Sequence, residues 1–320
     1  TPDGFPLDLL TAGAAMRTTE PLDIPAVLLH AGPLTGSELA EHFRQDILLV
    51  WRECLRDDRV CLERVGRRYL RLDREVAGYA RLSPSIRREF LTYTVIGLTE
   101  QTQEVRTRAL ALEQEIRGIS RAKLQLAAGT MASVVESVPG WVDVQDSVCF
   151  VIAGDITYDM AHAVPRPESS TGRMVRGSDL DVVIIAGDDV PEEALRGLDD
   201  AVYKKKHFLL VHPAYQEEID YLIKRVSKVR EQLAFDSFEH MVASKILSEG
   251  LLLHGSEALF GRVKLMLTQA QVEEKLARLE RTAMEKRRAA EATLLASNGT
   301  RPGAAEFKLF YTREEGDEIY

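Results

Sequence analysis

The spacing of apolar positions changes character part-way along the chain. Leu39, Phe43, Ile47, Val50, Trp51 and Leu55 recur three or four residues apart, which predicts a helix with one apolar face. Thr35-Gly36-Ser37-Glu38 precedes it as a capping box, a Thr oxygen for an unpaired helix N–H and a Glu three residues on. A second helical pattern runs from about Asp58 through Tyr69. Ser83-Pro84 reads as a helix start, a cap residue followed by Pro at the first helical position. The charged stretch from there to about Leu126 predicts two helices with a break near Gly118. Residues 1 to about 35 are rich in Pro, Gly, Ala and Thr and read as an irregular arm. Pro139-Gly140 closes this half.

After Trp141 the runs become strand-like. Val148 to Ile152 is continuously apolar and leads into Ala153-Gly154-Asp155. The polar stretch Pro165 to Arg176 predicts a loop. Next comes Gly177-Ser178-Asp179-Leu180-Asp181, opening onto Val182-Val183-Ile184-Ile185, a buried strand. Pro191 starts a helix to about Lys206, and Phe208 to His212 reads as a short strand. Glu218 to Ile223 reads as another strand and Phe238 to Gly250 as an amphipathic helix. Val272 to Leu295 is a charged helix, Ser297 to Ala304 a linker, and Glu306 to Tyr311 a last strand. The end, Thr312 to Tyr320, is acidic and expected to be mobile. The organisation expected is a mostly helical region over 1–140, a mixed-sheet core over 141–265, a helix and linker over 266–304, and a strand with an acidic tail over 305–320. The fold class is α+β.

Composition narrows this little. The chain has 320 residues, 45% hydrophobic and 28% charged, as in soluble globular proteins. No stretch approaches the roughly 20 apolar residues of a membrane span. A net charge of −9 disfavours wrapping a long polyanion. Cys54, Cys61 and Cys149 are odd in number and lack CxxC spacing, which argues against a disulfide framework and a zinc site. Cys54 and Cys61 are expected on one helix face. The start, Thr-Pro-Asp-Gly, has no basic-then-apolar leader, so a cytoplasmic location is expected.

The chemistry concentrates at Asp179 and Asp181. Residues two apart in a strand project from one face, so both carboxylates aim together from the lip of a buried strand. That is costly unless a cation lies between them, and Mg²⁺, which takes hard oxygen ligands, suits the place. Asp220 sits alone in an apolar strand-like run, and a strand–helix–strand order can bring it beside the pair. Three carboxylates can bind two ions about 3.5–4 Å apart for in-line displacement on a nucleoside triphosphate. Lys245, Arg173 and Arg176 are candidate phosphate cations. Gly187-Asp188-Asp189 reads as a solvated turn, and Lys204-Lys205-Lys206 as a cationic helix end.

This order of apolar strand, Gly turn, Ser178-Asp179-x-Asp181 strand and later Asp220 resembles the polymerase-β-type nucleotidyltransferase superfamily over about residues 145–260. The resemblance implies a polymerase-β-like mixed-sheet core with a helical N-terminal region and helical C-terminal additions. It implies Asp179, Asp181 and Asp220 as ligands of two Mg²⁺, or Mn²⁺, ions. It also implies phosphate contacts from Gly154, Asp155, Gly177, Ser178, Arg176 and Lys245. Asp155 departs from the family, which carries Ser there, and an anion beside a triphosphate is unfavourable unless it binds metal or caps a helix. With Tyr320 at the end of the sequence, the whole also resembles the nucleotidyltransferases of Hailong anti-phage systems. That resemblance implies template-independent synthesis of short single-stranded DNA from dNTPs, primed on Tyr320, with a membrane channel effector as partner and self-association of the enzyme. The alternatives are a toxin-type enzyme transferring NMP to tRNA or protein, and a catalytically degenerate nucleotide-binding scaffold.

Overall fold

The computed structural model describes residues 22–43, 45–168, 170–297 and 303–312. The first part runs α1 (Ile24–Ala31), β1 (Leu34–Thr35), α2 (Gly36–His42), α3 (Ile47–Arg56), β2 (Val60–Arg64), β3 (Tyr69–Leu72), β4 (Ala80–Ser83), α4 (Ile86–Thr92), β5 (Thr94–Leu98) and α5 (Thr102–Glu136). It continues with α6 (Trp141–Val144), β6 (Val148–Ile152), β7 (Pro165–Pro167), β8 (Met174–Arg176), β9 (Leu180–Ala186), α7 (Glu192–Val211) and β10 (Ile219–Arg225). The chain then forms α8 (Val226–Gln232), α9 (Phe238–Glu249), β11 (Leu251–Gly255), α10 (Glu257–Gln269), α11 (Val272–Ala296) and α12 (Ala304–Phe310). The class is α+β, with several small sheets.

The largest sheet has the order β10-β9-β6-β11 and is mixed. β9 and β10 are parallel, and α7 is the crossover that parallel neighbours require. β6 is antiparallel to both β9 and β11. Phe150, Ile152, Val182 and Ile184 face α5 and α7, against Met131, Val134, Leu198 and Val202. Cys149, Val151, Val183 and Ile185 face the other way, against Val229, Leu247, Leu259 and Val263. Helices cover both faces, which is why β6 and β9 read as unbroken apolar runs.

Several sequence-based expectations give way to tertiary pairing. The helix expected over Asp58–Tyr69 is β2 followed by the start of β3. Val60 and Leu62 also fit period two, and antiparallel pairing with β5 decides between the periods. Cys54 therefore lies in α3 and Cys61 in β2, not on one helical face. The capping box forms, with Glu38 N–H donating to Thr35 Oγ1 at 3.2 Å. Its helix nevertheless stops at His42, because Asp46 caps a second helix through Leu48 N–H at 2.8 Å. Ser85, not Ser83, caps α4. α5 runs through Gly118 unbroken, where an added Cβ would meet only open space. Phe208–Val211 continues α7 instead of forming a strand, burying Leu209 beside the helix's other core residues. The Pro165–Arg176 loop holds the β7–β8 hairpin. The last segment expected as a strand is α12, capped by Gly303 N–H donating to Glu306 Oε2 at 2.7 Å.

The C-terminal helices return to the N-terminal region. Leu294 and Phe310 are buried with Leu48 and Trp51, and Arg52 pairs with Glu306. The other face of the β3–β4 hairpin packs on α11 through Leu70, Leu82 and Ala283. The hairpin is thus held against α11, and Tyr69 on its opposite face is buried with Tyr93, Met160 and Tyr158.

Candidate functional site: a carboxylate cluster at the end of the central sheet

β6 ends in a turn that brings its backbone against β9. Ala153 N–H donates to Asp181 O at 3.0 Å. Gly154 follows with φ +75°, and a Cβ there would lie 2.2 Å from Asp181 Oδ2. Only glycine combines that left-handed backbone with so close an approach. Asp220 stands directly across from Asp181 in the β9–β10 register. Paired residues of neighbouring strands share a face, so both acids project toward the α9 side.

Asp181 is surrounded by its own kind. Burial pushes its carboxyl up to about 6; Arg71 opposes the rise, while the charges of Asp155, Asp220 and Glu249 add to it. Asp155 behaves oppositely. Burial raises it too, but Arg71, a hydrogen bond from Tyr69, His162 and Arg88 hold it below the usual carboxylate range. Tyr69 Oη donates to Asp155 Oδ1 at 2.5 Å and Ser178 Oγ to Oδ2 at 3.1 Å. His162 beside it is pushed down to about 4 by burial and the Arg88 charge, so it is neutral near pH 7.

The remaining acids are each engaged. Asp179 lies just before β9 and is ion-paired with Arg166, which also holds Glu218 at 2.8 Å. Asp179 Oδ1, the buried oxygen, is the atom that meets Arg166. Asp220 is exposed and meets Lys206 at 3.1 Å. Glu249, at the end of α9, accepts from Gly154 N–H at 3.1 Å and from Tyr158 Oη at 2.5 Å, and pairs with Lys245. Tyr158 stacks on Tyr69 with ring centroids 4.0 Å apart, joining the two acid-holding phenols.

The sequence-derived residues thus fall into two groups. Gly154, Asp155, Ser178, Asp181 and Asp220 come together. Ser178 serves Asp155 and the His162 backbone N–H. Gly177, with φ +62°, lets His162 O approach where a Cβ would lie 1.8 Å away. Asp179 is turned to Arg166. The Arg176 side chain is exposed, while its carbonyl accepts from buried Lys123 at 2.7 Å. Lys245 is tied to Glu249. Tyr320 lies outside the described residues. Among those that are described, no three His, Cys, Asp or Glu side chains stand together as a formed metal site. Lys206, read as part of a cationic helix end, sits within α7 and pairs with Asp220. Gly187-Asp188-Asp189 is a turn, with Asp188 accepting from Ser227 N–H at 2.8 Å.

Sequence reasoning missed Tyr69, Arg71, Arg166 and Glu249. A period-two reading of β3 would have aligned Tyr69 and Arg71 on one face. Glu249 is one helical turn beyond Lys245, a spacing that pairs such residues. A cleft of about 420 Å³ adjoins the turn, lined by Arg67, Thr157, Tyr158, Lys245, Ser248 and Glu249 among others.

No protein-family model, curated protein or solved structure matches this chain. Among the described residues, no helix is long and apolar enough to cross a membrane.

Proposed function

We propose that the chain is a Mg²⁺-dependent, template-independent nucleotidyltransferase of polymerase-β type, making short single-stranded DNA from dNTPs with Tyr320 as primer, in anti-phage signalling. The observation that carries this reading is Asp181 in register with Asp220 on parallel strands, beside the Gly154 turn. The donor set fits a hard divalent cation: oxygen ligands only, and one carboxyl driven upward by burial and then by its acidic neighbours. Asp181 and Asp220 would hold the ion, and Asp179 would join on leaving Arg166. Bound there, the ion supplies charge neutralisation of the triphosphate and activation of the attacking hydroxyl.

The chain's own groups do the rest. Gly154 offers a backbone N–H to a phosphate oxygen once Glu249 withdraws, which releases Lys245 to the same phosphates. Asp155, held by Tyr69 and Ser178, adds negative charge beside Asp181, where the cation would sit. In the first transfer the Tyr320 oxygen bonds to the α-phosphorus, the bond to the β-phosphate oxygen breaks, pyrophosphate leaves and the phenolic proton passes to solvent. The new 3′-hydroxyl then attacks the next dNTP.

A second reading, a nucleotide-binding scaffold without transfer, is favoured by Asp179 lying on Arg166 and Glu249 on the Gly154 N–H. Incubation with Mg²⁺ and each labelled dNTP or NTP, followed by a denaturing gel and peptide mass spectrometry, separates the two. Label on Tyr320, lost in Tyr320→Phe, is the expected result. Label only on added RNA points to the toxin-type enzyme, and binding without label to the scaffold. The channel effector, self-association and a cytoplasmic location belong to the same proposal.

A further inference from the structure

A large groove lies away from the carboxylates. It encloses about 1000 Å³ between the β3–β4 hairpin, the start of α4, α11 and α12. Arg81, Lys286, Arg287 and Lys308 give it a basic lining, and Leu82, Ile86, Ala283 and Phe307 an apolar one. Asp73 and Glu75 also line it, and Asp73 accepts from Arg81 at 2.9 Å. Thr312, the last residue described, stands on its wall. The residues that follow are Arg313-Glu314-Glu315-Gly316-Asp317-Glu318-Ile319-Tyr320, four carboxylates against one cation with an apolar residue near the end.

The groove also leads to the site. Arg81 is the cross-strand neighbour of Arg71, and Ser83 that of Tyr69. Ser83 Oγ donates to Tyr69 Oη at 3.2 Å, and Tyr69 donates to Asp155. Arg71 acts electrostatically on both Asp155 and Asp181. Arg81 therefore stands both on the groove and on the hairpin face that carries Arg71 and Tyr69, while Ala80 and Leu82 line the groove from the face packed on α11. Eight extended residues span about 26 Å at roughly 3.3 Å each.

We propose that residues 313–320 dock in this groove of their own chain, carboxylates over Arg81 and Lys286, Ile319 against its apolar wall, and Tyr320 led past Arg71 toward Asp181. Electrostatic complementarity fixes the direction of the segment more than its affinity. The proposal makes the acceptor a residue of the same chain. Its functional meaning rests on the nucleotidyl-transfer reading, but the docking does not.

The test uses the full chain without nucleotide. A carbodiimide joins lysine amines to nearby carboxylates, and mass spectrometry reads the linked peptides. The expected product links Lys286 to Glu314, Glu315, Asp317 or Glu318. In an equal mixture of ¹⁵N-labelled and unlabelled protein, the linked peptides should carry a single label type. Absence of the Lys286 link, or mixed-label pairs, overturns the proposal. Arg81→Glu should weaken the link and lower Tyr320 labelling about tenfold or more, and Asp317→Arg placed in the same chain should restore both. Links without any labelling of Tyr320 uphold the groove and defeat the priming; labelling without links does the reverse.

Discussion

Two enclosed carboxylates in this molecule have opposite surroundings. Glu89 is clasped by Arg68 at 2.6 and 2.7 Å, by Arg64 at 3.2 Å and by Arg287 at 3.2 Å. Burial pushes its carboxyl up, yet the three guanidinium groups bring it below the usual range. Asp181 has other carboxylates as neighbours, with Arg71 as the counter-charge that acts on it most, and is raised to about 6. Burial is common to both, so burial alone marks neither as functional. What separates them is whether the fold itself supplies the balancing charge. At Glu89 it does, and the acid ties α4 to α11. At Asp181 it does not, and the imbalance is what the proposed cation would offset.

Removing each charge is the most direct way to break this contrast. Asp181→Asn should lower nucleotidyl transfer by about a thousandfold or more, since it removes a group whose charge is needed only when the cation and triphosphate are present. A gel assay with labelled dNTP reads it, and activity within tenfold of the parent would discard the site. In chemical denaturation without metal, Glu89→Gln should cost about 3 kcal/mol, because it leaves arginines buried without their partner. Asp181→Asn should instead gain about 1 kcal/mol by relieving repulsion. Loss of stability in both variants would erase the distinction.

The pH responses sharpen it further. Asp181 is raised in the folded state, so the folded chain binds the extra proton between about pH 4 and pH 6. Its contribution therefore falls as pH rises through that window and stays low above it. Glu89 is lowered, so its contribution is present above the unfolded value and is lost on acidification through the folded one. Mg²⁺ at a hundred times its dissociation constant should add about 2.7 kcal/mol near pH 7.5 and distinctly less near pH 5. Thermal shift with Mg²⁺ at both pH values reads this, and an equal gain at each would detach the ion from Asp181. The smallest effect is expected at Lys206→Ala. Its pair with exposed Asp220 is solvent-screened, so stability should change by less than about 1 kcal/mol.

How much was legible follows from the same contrast. Asp179, Asp181 and Asp220 stand out because acids at the lip of β-branched runs break a local pattern visible within a few residues. The sheet strands they belong to were readable for the same reason. The partners were not, because they arrive from elsewhere. Tyr69 and Arg71 sit in a segment whose apolar residues satisfy two periods, and only the pairing with β4 settles it. Glu249 reaches Gly154 across the gap between α9 and β6, a contact with no local trace. The arginines around Glu89 lie on β2, on the approach to β3 and on α11, so their meeting depends on how the C-terminal helices fold back.

The parallel join of β9 and β10 has a bearing on biosynthesis. Antiparallel neighbours can zip from a short turn, but these two strands meet only after the whole of α7 has been laid across the sheet. A ribosome must release β10 before the two acids can face one another, so a growing chain holds Asp181 for some time without its companion. The same geography makes α7 a severing point. A protease cut there would leave both acids chemically intact on fragments that no longer share a covalent frame.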